Sequence, residues 1–134
     1  MNSDIKSILL IDDDQDDQFF FATALQQVND SVDLIAACNG VEALEKLRIS
    51  KPDLILLDLI MPRMNGLIFL KMVKRNRQLA KIPVYIYTTD LSIFNEAEVV
   101  KAGAERIIYK AENLEETIKN ISAILNSQPY RASA

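Results

Sequence analysis

A chain of 134 residues with 49% hydrophobic side chains fits one compact domain with a substantial core. Its net charge of -4 and pI near 4.8 argue against a nucleic-acid partner, and no apolar stretch reaches membrane-spanning length, so no membrane partner is expected either. The absence of histidine excludes a Ser-His-Asp or Cys-His pair, a His-ligated zinc and a phosphohistidine of the chain's own. The lone Cys38 cannot close an internal disulfide or build a multi-cysteine metal site, and reads as a small buried residue. Met1-Asn2-Ser3-Asp4 lacks the basic and apolar regions of a secretory signal, so the expected location is cytoplasmic.

Strand-like and helix-like segments then alternate five times. Ser7 to Asp12 reads as a strand, and Asp14 to Asn29 as a helix with Phe21, Leu25 and Val28 on one face. Val32 to Ala37 is a second strand, and after Asn39-Gly40 a helix turns Ala43, Leu44 and Leu47 inward. Pro52 punctuates the third strand, Asp53 to Asp58, and Pro62 and Asn65-Gly66 lead into a helix with Leu67, Leu70 and Val73 on one side. Pro83 opens the fourth strand, Val84 to Thr88. Ser92 to Ala102 is a shorter helix stopped by Gly103, and Arg106 to Lys110 is the fifth strand. Asn113, an N-cap with Glu116 three residues on, starts a last helix that buries Leu114, Ile118, Ile121 and Leu125. The alternation predicts an α/β fold of right-handed βαβ units, a doubly wound parallel sheet with helices on both faces. One domain is expected over residues 1–134, with a core over about 5–126 and a C-terminal tail over 127–134.

The chemistry sits at the strand ends. Ile8-Leu9-Leu10-Ile11 precedes Asp12-Asp13, and Leu54-Ile55-Leu56-Leu57 precedes Asp58. Such runs read as parallel strands buried on both faces, so each carboxylate emerges at the C-terminal edge, where open α/β sheets bind ligands. Like charges about 4 Å apart repel by roughly 4 kcal/mol at an effective dielectric of about 20, so three crowded carboxylates keep a proton or recruit a cation. A hard divalent ion, Mg2+, suits such an all-oxygen site.

Five placed features carry a family resemblance: Asp12 and Asp13 after strand one, Asp58 after strand three, the stretch Met61-Pro62-Arg63-Met64-Asn65-Gly66, Thr88 ending strand four, and Lys110 ending strand five. In that order they resemble, over nearly the whole chain, the receiver domain of two-component response regulators, in its stand-alone, chemotaxis-receiver-like form. The resemblance implies a flavodoxin-like strand order of 2-1-3-4-5. It implies that Asp58 is the phosphoacceptor, taking a phosphoryl group from a phosphohistidine of a sensor histidine kinase or phosphotransfer protein, as carboxylates do in other covalent carriers. Asp13, Asp58 and the backbone carbonyl of Ile60 hold Mg2+ on this reading, with Asp12 behind them or reaching through water. Lys110 pairs with the phosphoryl group and Thr88 donates a hydrogen bond to it. The implied function is a stand-alone response regulator that catalyses only its own phosphorylation and slow hydrolysis and signals to a downstream protein by contact. Two alternatives differ in class. A Mg2+-dependent phosphohydrolase with an aspartyl nucleophile is disfavoured because Ile60 stands where such enzymes carry a second acid. A degenerate receiver that binds partners without phosphorylation is disfavoured by the intact set of Asp12, Asp13, Asp58, Thr88 and Lys110.

Some positions depart from the family's common pattern. Ala111 follows Lys110 where receivers usually have proline, and a cis bond before a non-proline residue costs roughly 2.5 to 4 kcal/mol, so a trans bond is expected. Ile107 falls where a switch aromatic is common. Tyr109 shares its strand face two residues on, and for it, as for Tyr85 and Tyr87, packing in the core or at the crevice edge is expected. Thr89 is small enough to admit a phosphoryl group, and Ile60 and Asp90 match positions that influence the lifetime of the acyl phosphate. The basic stretch of Lys71, Lys74, Arg75, Arg77 and Lys81 reads as a solvated face. In Phe19-Phe20-Phe21, helical geometry groups Phe20 and Phe21 with Ala24, Leu25 and Val28, and turns Phe19 about 170° away. Phe19 is therefore expected in solvent, on the face that receivers of this kind offer to the kinase.

Overall fold

The apolar runs form a five-stranded parallel sheet in the computed structural model, which describes residues 5–61, 65–91 and 94–126. In chain order the elements are β1 (Ser7–Ile11), α1 (Gln15–Val28), β2 (Asp33–Ala37), α2 (Gly40–Ile49), β3 (Leu54–Leu57), α3 (Gly66–Arg75), β4 (Val84–Thr88), α4 (Glu96–Lys101), β5 (Arg106–Tyr109) and α5 (Leu114–Asn126). The strand order is β2-β1-β3-β4-β5, as expected for a flavodoxin-like α/β fold. Among the described residues no helix is long and apolar enough to cross a membrane.

Because successive strand residues point to opposite faces, each apolar run feeds two cores. Ile8, Leu10, Leu54, Leu56, Tyr85 and Tyr87 pack with Phe21, Ala24 and Leu25 of α1 and Ile121, Ile124 and Leu125 of α5. Leu9, Ile11, Ile55, Leu57, Val84 and Ile86 pack on the other side with α2, α3 and Val99 of α4. Helix starts follow the side chains that can accept from free N–H groups. Asp14, Asn39, Asn65 and Asn95 each cap the helix that follows, and Asn113 Oδ1 accepts from Glu116 N at 2.8 Å.

Two glycines are required by close approach. A Cβ on Gly66 would lie 2.6 Å from the Asp58 carbonyl oxygen and from Leu59 Cα, so only glycine lets α3 start directly beneath the β3 end. Gly103 has a φ of 123°, and the space beside it is filled by Lys74 Cγ. Lys74 Nζ donates to Ala80 O at 3.1 Å and Ile82 O at 2.7 Å, so this half-buried lysine ties α3, the following loop and the α4–β5 turn together.

Several expectations shift. Asp12, Asp58 and Lys110 lie just past the ends of their strands, and Asp14 and Asn29 are caps rather than helical residues. Pro62, Arg63 and Met64 of the predicted loop, Ser92 at the predicted start of the fourth helix, and the tail over 127–134 lie outside the described residues; that helix begins later than predicted, at Glu96, because Asn95 caps it and Phe94 is not helical. Cys38 is half-buried, not buried, because it lies in the loop between β2 and α2. Lys74 departs from the solvated basic face, since its stem and ammonium both have partners. No cis peptide bond occurs among the described residues, so Lys110–Ala111 is trans as expected.

Phe19 is 73% exposed and Phe21 is fully buried, whereas Phe20, at the margin of the inward face, is only half-buried. Phe21 also meets the Tyr87 ring edge-on at 5.4 Å. Phe21→Ala is therefore expected to destabilise the protein by about 3–5 kcal/mol and Phe19→Ala by less than about 0.5 kcal/mol, as measured by urea unfolding.

Candidate functional site

Sheet register brings the acidic residues together. Ile11 pairs with Ala37 on one side and Leu57 on the other, so the next residue of each strand leaves the sheet at the same level. The ladder runs one step further: Asp12 N donates to Ala37 O and Asp58 N to Ile11 O, each at 3.0 Å. Two strands away Thr88 pairs with Tyr109, and Lys110 N donates to Thr88 O at 2.8 Å. Residues far apart in sequence thus meet at one edge.

Each side chain is fixed by several partners. Asp12, 1% exposed, accepts from Asp14 N at 3.0 Å through Oδ1 and faces Lys110 Nζ at 2.7 Å through Oδ2. Asp58, 7% exposed, accepts on Oδ1 from Ile60 N at 3.1 Å and from the Thr88 hydroxyl at 3.0 Å, and its Oδ2 lies 3.2 Å from Lys110 Nζ. The Thr88 hydroxyl is also 3.0 Å from Asp90 O, and with one hydrogen it donates to one acceptor at a time. Lys110 Nζ makes a third ion pair, with Asp17 Oδ2 at 2.7 Å, and sits 5.9 Å from the centre of the Tyr87 ring.

Burial sets the electrostatics. It pushes the Asp12 carboxyl up from 3.8 to about 6, against the hydrogen bond from Lys110, which lowers it. For Lys110 burial works against the ammonium, but hydrogen bonds to Asp12 and Asp17 and the charges of Asp12 and Asp58 outweigh it, and the pKa rises above the usual lysine value. Burial likewise holds the Tyr87 phenol neutral, up to about 12.

Asp12, Asp13 and Asp58 each offer an oxygen, and these oxygens lie within 4.8 Å of one another. Asp13 is exposed, so the trio opens into a cleft of about 450 Å³ lined by Asp13, Asp17, Asp58, Ile60, Thr88 and Lys110, among others. An all-carboxylate donor set of this size fits a hard divalent cation. The predicted residues Asp12, Asp13, Asp58, Ile60, Thr88 and Lys110 therefore all meet at one place. Asp12 is the most buried of the three carboxylates, with one of its oxygens within 4.8 Å of those of Asp13 and Asp58.

Sequence reasoning missed Asp17 and Gln18. Gln18 Nε2 donates to Asp12 O at 2.7 Å and Ala37 O at 3.2 Å, pinning the β1–α1 turn to the end of β2. The signal for Asp17 was its place one turn before Phe21, an acid on the inward face of a helix at its open end. Tyr85 and Tyr87 are buried as expected, but Tyr109 is 43% exposed and donates its hydroxyl to Glu96 Oε2 at 2.8 Å, while Ile107 packs on the core. Part of the basic stretch, Lys71, Lys74 and Arg75, lines a separate groove with Glu98 and Lys101 of α4.

Residues 8–122 match the family model described as the response regulator receiver domain. The chain is similar to response regulator ArlR of Staphylococcus saprophyticus and of Staphylococcus aureus, in each case 32% identical over 124 residues that cover 92% of this chain and 54% of the relative. It thus spans about half the length of the curated relatives it matches. Among solved structures it is similar to the Mn2+-bound form of response regulator Rcp1, with a TM-score of 0.79, 28% identity and coverage of 95% of this chain and 99% of that one. The phosphorylated cyanobacterial phytochrome response regulator RcpA gives a TM-score of 0.78 at 29% identity, covering 92% and 95% of the two chains. The chemotaxis protein CheY4 of Vibrio cholerae gives 0.76 at 28% identity, covering 90% and 99%. A match that spans both strands bearing the acidic cluster and runs past Lys110 into α5 places the chain in the response regulator receiver domain family.

Proposed function

We propose that Asp58 is the phosphoacceptor of this receiver and that its phosphorylation needs Mg2+. The observation that carries the reading is the grip on the Asp58 carboxylate: one oxygen accepts from Thr88 and Ile60 N, and the other faces Lys110, beside two further carboxylates. In the transfer an Asp58 oxygen bonds to phosphorus as the bond to the donor's imidazole nitrogen breaks, and the leaving imidazole takes its proton from solvent. The donor histidine belongs to a sensor histidine kinase or phosphotransfer protein, since this chain has none. Lys110 then faces the new phosphoryl oxygens as a fixed positive charge, and the Thr88 hydroxyl is free to turn to them from Asp58 Oδ1.

Asp12, Asp13, Asp58 and the backbone carbonyl of Ile60 would hold Mg2+, which neutralises charge on the transferring group when bound. Support comes from the oxygen-only donor set, and from similar structures described as Mn2+-bound in one case and phosphorylated in another. The exposed Ile60 side chain supplies no acid for turnover of a phosphate ester, which favours a signalling phosphoacceptor over a phosphohydrolase. On this reading the protein works in the cytoplasm, slowly releases its own phosphate and signals to a downstream protein by contact. Phe19 on the outer face of α1 is a contact for the kinase.

Incubated with acetyl phosphate and Mg2+ and weighed intact, the protein is expected to gain one phosphoryl group, and the gain to vanish in Asp58→Asn or with a chelator. Equal labelling of Asp58→Asn would remove Asp58 from this role. Phe19→Ala is expected to slow transfer from the cognate kinase with an unchanged melting temperature; unchanged transfer would exclude Phe19 from the docking surface.

Mg2+ affinity should also depend on pH with a definite sign. The Asp12 carboxyl titrates near 6, above its ordinary 3.8, so below that pH metal-free protein carries a proton that the cation must displace. Above pH 6 affinity is expected to be level, and below it to fall by up to about tenfold per pH unit, as read by calorimetric titration. Affinity that stays level down to pH 5 would exclude displacement of an Asp12 proton by the cation in this range.

A further inference from the structure

Lys110 is held from a side that the acidic trio does not account for. Asp17 Oδ2 lies 2.7 Å from Lys110 Nζ, as near as Asp12 Oδ2 and nearer than Asp58 Oδ2 at 3.2 Å. An ammonium has three N–H donors, and these three carboxylates take them all. Asp17 differs from the other two in standing outside the group of oxygens that lie within 4.8 Å of one another, and in being 40% exposed at the cleft wall. The helix puts it there. Asp14 accepts from both Asp16 N and Asp17 N, which fixes the first turn of α1, and the buried Phe21 one turn on defines the inward face. At its open end that face looks over the sheet edge, so the residue sharing it with Phe21 meets Lys110 rather than the core.

Lys110 is also a competitor at this site. Two of its three acceptors belong to Asp12 and Asp58, carboxylates of the candidate cation site, and a carboxylate already facing an ammonium is a poorer ligand. Asp17 is the partner that no cation bound by the trio would take away. We propose that Asp17 is a positioning residue for Lys110: it keeps the ammonium on the α1 side of the cleft and draws part of its charge from Asp12 and Asp58, so that a cation can enter. The proposal rests on the reading of the site as a Mg2+-dependent phosphoacceptor. With Asp17 neutralised, Lys110 has only the two cation-binding carboxylates to satisfy it, and it presses on both.

Mg2+ dissociation constants from calorimetry on wild type, D17N, K110A and the D17N/K110A pair test this, with D16N as a charge control. Asp16 is the neighbouring acid of the same helical turn, exposed and outside the Lys110 ion pairs. D17N is expected to weaken Mg2+ binding about three- to tenfold when Lys110 is present and by less than about twofold in the K110A background, with D16N also below about twofold. Equal weakening by D17N in both backgrounds, or by D16N and D17N alike, would reduce Asp17 to one more nearby charge and overturn the proposal. Wild-type protein that binds no Mg2+ would instead overturn the underlying reading of the site.

Discussion

The C-terminal edge of the sheet gathers negative charge, and one ammonium holds it together. Among the described residues lining the cleft, Asp13, Asp14, Asp17, Asp58 and Asp90 are acidic and Lys110 alone is basic, with the buried Asp12 beneath. Taking carboxylates out of water costs several kcal/mol each unless partners replace the lost hydration. Here the replacement is complete: no buried side-chain nitrogen or oxygen among the described residues lacks a hydrogen-bond partner. The backbone supplies much of it, through Asp14 N to Asp12 and Ile60 N to Asp58. The site is therefore organised by the chain itself, which limits the rearrangement that binding or transfer must drive.

This organisation reaches into the core beneath. Lys110 stands over the Tyr87 ring, and that ring packs edge-on against Phe21 of α1. The same helix carries Asp17 to Lys110 and Gln18 to the Asp12 carbonyl. α1 is thus both a wall of one hydrophobic layer and a scaffold for the charged edge, and its inward stripe changes chemistry along its length from acid to aromatic to aliphatic.

Much of this was legible in the sequence because the signals were strong and local. Continuous apolar runs fixed the central strands, and a parallel sheet then placed their following acids, Asp12 and Asp58, at one edge. Asn and Asp caps marked the helix starts. What escaped depended on three-dimensional neighbours. Asp17 and Lys110 lie 93 positions apart, and nothing in either local segment names the other. Phe20 lies at the edge of an angular sector, where a small rotation of the helix decides burial. Tyr109 shares a strand face with the core residue Ile107, but its position at the end of an edge strand leaves it beyond the packed layer, where Glu96 is its partner. Lys74 looked like one of several surface cations until the turn at Gly103 closed over its stem.

The two ends of α4 are held in different ways. At its C-terminal end Gly103 closes over Lys74, whose stem and ammonium are enclosed by three chain segments. At its N-terminal end Asn95 caps the helix, Phe94 packs on the core, and Tyr109, next in sequence to Lys110, donates a solvent-exposed hydrogen bond to Glu96. A hydrogen bond in solvent adds little to stability, whereas freeing Lys74 leaves two part-buried carbonyls without their donor. α4 is therefore anchored through the buried Val99 and its Gly103 end, while its hydrogen bond to Tyr109 stands in solvent beside Lys110.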